Sequence, residues 1–318
     1  MNKSEQIIVT GAAGMIGSNL IQGLNESGYT NIIAVDDLSN GHQFINLAGL
    51  IISDYVDKEH FIPQLRLGKF THVRCLFHQG ACSATTEWDG RYMMENNYHY
   101  SQQLYRWCGE THTPFIYASS ASVYGNGQQG FHEDNAGKSL LNVYAYSKWL
   151  FDHYVSLNPI KSQVVGLRYF NVYGPNEQHK GSMASVAWHL HQQYLRKEPM
   201  KLFGAWDGYE AGQQSRDFIY VGDTVKVNLW FLSKPEISGI FNCGTGKAQP
   251  FQDIADALIE YEGQGSIAYI DFPDHLKGAY QSYTQADMQR LREVGYVDSF
   301  LSLKEGVHQY MDYLKERV

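Results

Sequence analysis

No stretch of the 318 residues approaches the roughly 18 consecutive apolar residues that a membrane-crossing helix needs. A secretory leader is not expected either, because Met1-Asn2-Lys3-Ser4 runs almost directly into a short β-branched stretch instead of an apolar core. These two absences set the expectation of a cytoplasmic protein. Cysteine is scarce: Cys75, Cys82, Cys108 and Cys243 are scattered, with no Cys-x-x-Cys pair and no histidine at zinc spacing. They read as buried reduced thiols, and no metal site is expected. A formal net charge of -8 is relieved by no basic run, which argues against nucleic acid and against an anionic membrane surface as partners. An anionic ligand must therefore be met by individually placed Lys and Arg. Repeats, low-complexity tracts and flexible linkers are absent as well.

What is present begins with Ile7-Ile8-Val9-Thr10, a short strand pattern that breaks into Gly11-Ala12-Ala13-Gly14-Met15-Ile16-Gly17. Helical spacing follows through Ile21 and Leu24. In a strand, glycine turn and helix of this kind, the glycines permit a tight turn and close backbone approach, and the helix N-terminus offers a positive dipole end to a pyrophosphate. Asn31 to Val35 reads as a second strand ending in Asp36-Asp37. An acidic residue there, about 20 residues on, is where a dinucleotide fold holds the adenosine ribose hydroxyls.

The alternation continues with a strand at 50–56, a helix at 57–67 and a strand at 73–78 that enters Gln79-Gly80-Ala81-Cys82-Ser83. Small residues at the carboxyl end of a parallel strand let a cofactor pass close to the backbone. A long helix is predicted from about Arg91 to Trp107; Asn96 and Asn97 are unusual in mid-helix, which suits a polar role toward a cofactor. Strands at 114–119 and 163–169 bring the count to six. The predicted fold class is α/β, a doubly wound parallel sheet closed by helices on both faces, followed by a smaller α/β substrate-binding domain. The expected boundary puts 1–170 in the dinucleotide-binding (Rossmann) domain and 171–318 mainly in the second, with some segments returning to the first. In that second part, 171–183 reads as loop, 184–196 as helix, 239–243 as strand, and 251–262 and 303–315 as helices.

Candidate chemistry centres on Asn142-Val143-Tyr144-Ala145-Tyr146-Ser147-Lys148. In a helix Tyr144 and Lys148 share one face, and a neighbouring ammonium favours the phenolate, lowering the tyrosine pKa. With 23 Tyr in the chain, such a pair can also arise as an ordinary surface contact. Tyr146 meets Leu150 four residues on, so Tyr144 is the candidate. Ser120, at the end of the fifth strand, can hydrogen-bond both a substrate hydroxyl and a tyrosine oxygen, although serines there also serve as caps and turn formers.

The glycine triplet at 11 to 17, Ser120, Tyr144 and Lys148 resemble the extended short-chain dehydrogenase/reductase superfamily. Three longer segments, Cys82 to Gly90, Arg168 to Pro175 and His179 to Ala187, resemble the ADP-heptose 6-epimerases within it. The resemblance runs along essentially the whole chain. It implies an isomerase that converts ADP-D-glycero-D-manno-heptose to its L-glycero epimer, supplying a lipopolysaccharide core precursor. Tyr144 is implied to take the hydroxyl proton as hydride passes to bound NAD(P), leaving a carbonyl expected as an aldehyde at carbon 6. Rotation about the bond to carbon 5 lets hydride return to the other face. Lys180 is implied as the second proton donor, with Ser120 orienting the substrate.

Substrate contacts implied by the resemblance are Asn171, Ser182, His189, Phe203, Arg216 and Tyr280, and a planar guanidinium at Arg216 suits a diphosphate. Implied cofactor contacts are Met15, Ile16, Asp36, Lys58, Gln79, Ala81, Asn96, Lys148, Val172 and Lys180. The segment Gly204 to Gln214 is longer than that family's pattern. The family implies NADP, whereas Asp36-Asp37 and Gln43 in place of a phosphate-binding lysine suit NAD, so both cofactors stay open. The family also implies a homo-oligomer, commonly a pentamer. Rival readings are a nucleotide-sugar 4-epimerase, which does not usually carry the 179–187 segment, and a non-catalytic dinucleotide sensor, which tends to lose the Tyr and Lys. A 4,6-dehydratase would carry an Asp-Glu pair where this chain has Ala121-Ser122.

Overall fold

The computed structural model describes residues 3–274, 277 and 280–316; Met1 and Asn2, part of the stretch on which the expectation of no leader rests, lie outside them. In chain order the elements are β1 (Gln6–Thr10), α1 (Met15–Glu26), β2 (Ile32–Asp36), β3 (Asp54–Asp57), α2 (Lys58–Arg66) and β4 (Val73–His78). Then come α3 (Gly90–Met94), α4 (Tyr100–Thr111), β5 (Phe115–Ser120), α5 (Val143–Leu157) and β6 (Val164–Tyr169). After β7 (Asn171–Tyr173) follow α6 (Val186–Leu195), β8 (Met200–Phe203), β9 (Ser215–Tyr220), α7 (Val221–Leu232) and β10 (Gly239–Cys243). The last are β11 (Ala248–Pro250), α8 (Phe251–Glu262), β12 (Ile267–Ile270), α9 (Gln289–Glu293) and α10 (Leu303–Lys315). No helix among the described residues is long and apolar enough to cross a membrane.

Seven strands form the main sheet in the order β10-β6-β5-β4-β1-β2-β3. The pairings of β1 with β2 and β4, β2 with β3, and β4 with β5 are all parallel. This is the doubly wound α/β sheet expected, with β10 as a seventh member. β6 is buried at every position and β1 at all but its first, as a sheet covered on both faces requires.

The chain divides into two compact units: residues up to Val123 with Asn142–Arg168 and Val225–Phe241, and Tyr124–Leu141 with Tyr169–Thr224 and the chain from Asn242 onward. In the first, Ile8, Val35, Phe61, Leu76, Leu104, Phe115 and Phe151 make one continuous apolar cluster. The second holds two small sheets, β11-β9-β7 and β12-β8, packed with Leu190, Leu202, Phe218, Leu258, Val307 and Met311. Its α10 starts where Ser302 and Glu305 close a capping box, and it buries Leu303, Val307, Tyr310 and Met311 on one face. Each such side chain contributes about 1.5–3 kcal/mol on burial.

Three local expectations are corrected. The third strand is shorter than 50–56, because the Ile51 amide and carbonyl bond the Asn25 side chain at 2.8 and 2.9 Å and leave the ladder. The helix expected from Arg91 to Trp107 contains a π-helical turn at Glu95–His99. The loop expected at 171–183 contains β7 and a 3-10 turn, Gln178–Met183.

Candidate active site

The glycine turn between β1 and α1 is built for close approach. Gly11 sits at φ 66°, and a Cβ there would lie 2.5 Å from the Gly80 amide nitrogen. One on Gly17 would lie 2.0 Å from the Gly11 carbonyl oxygen, and one on Gly14 would lie 3.1 Å from it. Only glycine lets β1, the Gln79-Gly80 turn and the start of α1 converge. Met15 and Ile16 open α1, whose N-terminus is capped by no side chain. At the end of β2 the Asp36 carboxylate accepts the Ala13 amide at 2.6 Å and the Asp37 amide at 2.7 Å. Burial raises the Asp36 pKa, and those two amides oppose the shift. A turn of glycine and alanine only, an uncapped helix end and a fixed carboxylate fit a dinucleotide's pyrophosphate and ribose.

Asp37 faces differently. Its Oδ2 lies 3.1 Å from Lys58 Nζ at the start of α2, and Lys58 also donates to Asn96 Oδ1 at 3.2 Å. Bonds to Ser39, more than the Lys58 ammonium, hold the Asp37 pKa below its ordinary value. Gln43 lies in the 3-10 turn Gly41–Asn46. Beyond β4, Gln79 donates to Asn228 Oδ1 at 3.4 Å, while Ala81 and Ser83 are exposed. Cys82 is held by Asn97, which the π-helical turn directs inward: its Oδ1 accepts the Cys82 amide at 2.8 Å and its Nδ2 donates to the Cys82 carbonyl at 2.9 Å. The mid-helix Asn pair signalled this device, but its polar role at Asn97 is to grip the strand-end loop. π-helical turns recur at functional sites for such re-aiming.

Asn142 caps α5 by accepting the Ala145 amide at 2.8 Å, which sets Tyr144 and Lys148 on the first two turns. The Tyr144 phenol lies beside the Ser120 hydroxyl, which accepts the Ser122 hydroxyl at 2.9 Å. Burial raises the Tyr144 pKa, with the Ser120 hydroxyl opposing. The expected depression by Lys148 is therefore corrected: the Lys148 ammonium donates to the Ala118 carbonyl at 2.9 Å, and burial lowers its own pKa to about 8. Asp152, one further turn along α5, opposes that drop. Its carboxylate accepts Tyr117 and Ser119 hydroxyls and pairs with Arg168 Nε, each at 2.9 Å. Asp152 escaped the sequence reading, although the spacing Tyr144, Lys148, Asp152 puts all three on one stripe.

In the second unit, Lys180 lies on the 3-10 turn Gln178–Met183, half-buried; burial lowers its pKa and the Glu177 carboxylate opposes. Glu177 is wholly buried and accepts the Ser185 amide and hydroxyl at 2.5 and 2.6 Å. It is a second residue missed from the sequence. Arg216 is 5% exposed, between the rings of Tyr280 at 4.6 Å and Phe251 at 5.6 Å from its guanidinium carbon. Phe203 meets Tyr280 at 6.1 Å between ring centroids. The 204–214 segment forms a hairpin in which Trp206 and Tyr209 exchange backbone bonds at 3.0 Å, and Trp206 stacks on Phe272. Thus Phe203, Arg216 and Tyr280 come together. His189 Nε2 approaches the Ser182 carbonyl at 3.4 Å, Asn171 accepts from Thr284 at 3.4 Å, and Val172 pairs with Ile219 in β7.

Fold and glycine turn together define a Rossmann-type α/β protein built for a dinucleotide. More narrowly, the chain belongs to the NAD dependent epimerase/dehydratase family, whose sequence pattern matches residues 7–244. Among solved structures it is similar to Helicobacter pylori ADP-L-glycero-D-manno-heptose-6-epimerase, at 30% identity over 98% of this chain and 97% of that one, TM-score 0.83. It is also similar to Thermotoga maritima UDP-glucose 4-epimerase, at 26% identity over 98% and 99%, TM-score 0.82. Bacillus cereus UDP-glucuronic acid 4-epimerase, solved with NAD, matches at 25% over 98% and 100%, TM-score 0.82.

Proposed function

We propose that the protein is an ADP-heptose 6-epimerase with a tightly held nicotinamide dinucleotide. The observation that carries a hydroxyl-oxidising reaction is the Tyr144 phenol beside Ser120, with Lys148 on the same face of α5. The heptose substrate rests on the 30% identity to the H. pylori enzyme and on the Arg216, Phe203 and Tyr280 cluster, whose cation and rings suit a nucleoside diphosphate.

Bound oxidised dinucleotide supplies a hydride acceptor and a positive ring charge that favours the Tyr144 phenolate. Ser120 orients the substrate hydroxyl and Tyr144 takes its proton, while Lys148, anchored on the Ala118 carbonyl, keeps an ammonium one turn further along the same face. Carbon 6 of a heptose bears carbon 7 as well as carbon 5, so the oxidised carbon is a ketone and not the aldehyde expected from the sequence. Rotation exposes its other face, and Lys180 gives the proton on return of the hydride. The lowered Lys180 pKa suits it to that exchange. Arg216 holds the diphosphate.

The test is conversion of either ADP-heptose epimer to the mixture without added cofactor. Inactivity on ADP-heptose with turnover of UDP-galactose would sink the heptose reading and leave a 4-epimerase. Tyr144→Phe combined with Lys180→Met is expected to abolish turnover while dinucleotide remains bound; full activity would remove both residues from proton transfer.

A further inference from the structure

The chain between β7 and α6, residues 174–185, carries Lys180 and reverses direction at Gly181, with φ 56° and ψ -126°. A Cβ added at Gly181 would meet no described atom within 4 Å, so packing at the bend does not hold the turn. One side chain fastens it at both ends instead. The Glu177 carboxylate, wholly buried, accepts the Ser185 amide at 2.5 Å and the Ser185 hydroxyl at 2.6 Å on the α6 side, and the Gly174 amide at 3.4 Å on the β7 side. Its backbone carbonyl accepts the Lys180 amide at 2.9 Å. Ser185 in turn caps α6 by accepting the Trp188 amide at 3.3 Å. A buried carboxylate persists as an anion only where donors replace its water, and these N-H and O-H groups do so.

We infer that Glu177 is the positioning residue for Lys180: its carboxylate fastens both ends of the 174–185 segment and so sets where the lysine ammonium stands. The inference rests on the reading above that Lys180 exchanges a proton during the reaction. The charge of Glu177 acts on the lysine as well, since burial lowers the Lys180 pKa and Glu177 opposes that drop. Other titratable groups face the same turn. His179 is lowered by burial and then by the Lys180 ammonium. From α10, the Tyr310 phenol is raised by burial and next by the Glu177 carboxylate, with Tyr313 and, from the end of β9, Tyr220 nearby. Tyr313 donates to Asn176 at 2.6 Å. Tyrosine is neutral near pH 7 and so is the lowered His179, which leaves Glu177 as the anion of this group. Glu177→Gln keeps the length and one acceptor oxygen, sets an amide N-H against a donor from Ser185 or Gly174, and removes the charge.

The experiment uses the full chain, assayed on whichever of ADP-heptose and UDP-galactose it turns over. Glu177→Gln is expected to lower kcat about 10–10²-fold, with KM changed less than about threefold and dinucleotide still bound. In a Lys180→Met background the same change is expected to add less than about a twofold loss, because its effect passes through the lysine. Acetylation with acetic anhydride across pH, read at the Lys180 peptide by mass spectrometry, follows the titration of the lysine without any turnover. In Glu177→Gln that titration is expected at lower pH than in the unaltered protein. Ser185→Ala keeps the charge and removes one donor, so kcat is expected to fall with the Lys180 titration in place. If circular dichroism shows Glu177→Gln unfolded, Ser185→Ala with and without Lys180→Met tests the fastening by itself. Equal kcat losses with and without Lys180, or a Lys180 titration that Glu177→Gln leaves unmoved, overturns the inference. Full activity of Lys180→Met sinks the proton-exchange reading instead, and the acetylation shift then still shows whether Glu177 governs the lysine, so the two fail separately.

Discussion

Tyr144, Lys148 and Asp152 lie on a single stripe of one helix, and the proposed proton transfer divides its work among them. Tyr144→Phe keeps the ring and removes the hydroxyl, so kcat is expected to fall about 10²–10⁴-fold with KM little changed, measured by discontinuous assay of the epimers. Lys148 makes a pH prediction. Its pKa is lowered to about 8, so the ammonium is present below that pH and is lost as pH rises through it. Activity that depends on the ammonium therefore falls on the alkaline side. Asp152→Asn removes the carboxylate that opposes this lowering, and the alkaline limb is expected to move to lower pH. A limb that stays in place would disconnect Asp152 from Lys148. Truncation to Ala instead leaves Arg168 buried without its partner and is expected to cost about 3–5 kcal/mol in denaturant unfolding. The Tyr-Lys pair itself was legible from four-residue spacing. Its electrostatics were not, because nothing local in sequence says that the Ala118 carbonyl takes the ammonium.

At the scale of elements, the glycine turn and the central alternation of strands and helices were legible because each is written in short-range pattern. The helices at Phe251–Glu262 and Leu303–Lys315 coincide with their predicted ranges for the same reason. The α7 helix was missed because it follows β9 without a break, its apolar residues continuing the strand pattern. The pairing of β8 with β12 escaped because it joins two short segments far apart in sequence. The π-helical turn left only one trace, the Asn96-Asn97 pair. Gly17→Ala tests the turn: with the Gly11 oxygen 2.0 Å from the added Cβ, backbone must shift. A loss of about 1–3 kcal/mol in stability is expected, together with dinucleotide lost on gel filtration. Asn97→Leu is expected to spare the helix but loosen the Cys82 loop, seen as faster amide exchange at residues 81–84 on mass spectrometry. Unchanged exchange there would show that the loop holds without Asn97.

For the whole molecule, a ligand that binds only folded protein raises its melting temperature by mass action. Protein stripped of dinucleotide is expected to melt several degrees lower than protein as purified, and excess NAD to restore the difference; an unchanged melting curve would argue against dinucleotide binding at all. The main sheet also has a history imposed by its strand order. β6 is buried at every position, yet its neighbour β10 is drawn from Gly239–Cys243. During synthesis, at about 5–20 residues per second, the flank of β6 stays open for several seconds until the nascent chain has grown through Cys243. An apolar unpaired strand flank is a template for pairing with other chains, so the strand order sets an interval in which β6 is open to such pairing before β10 covers it.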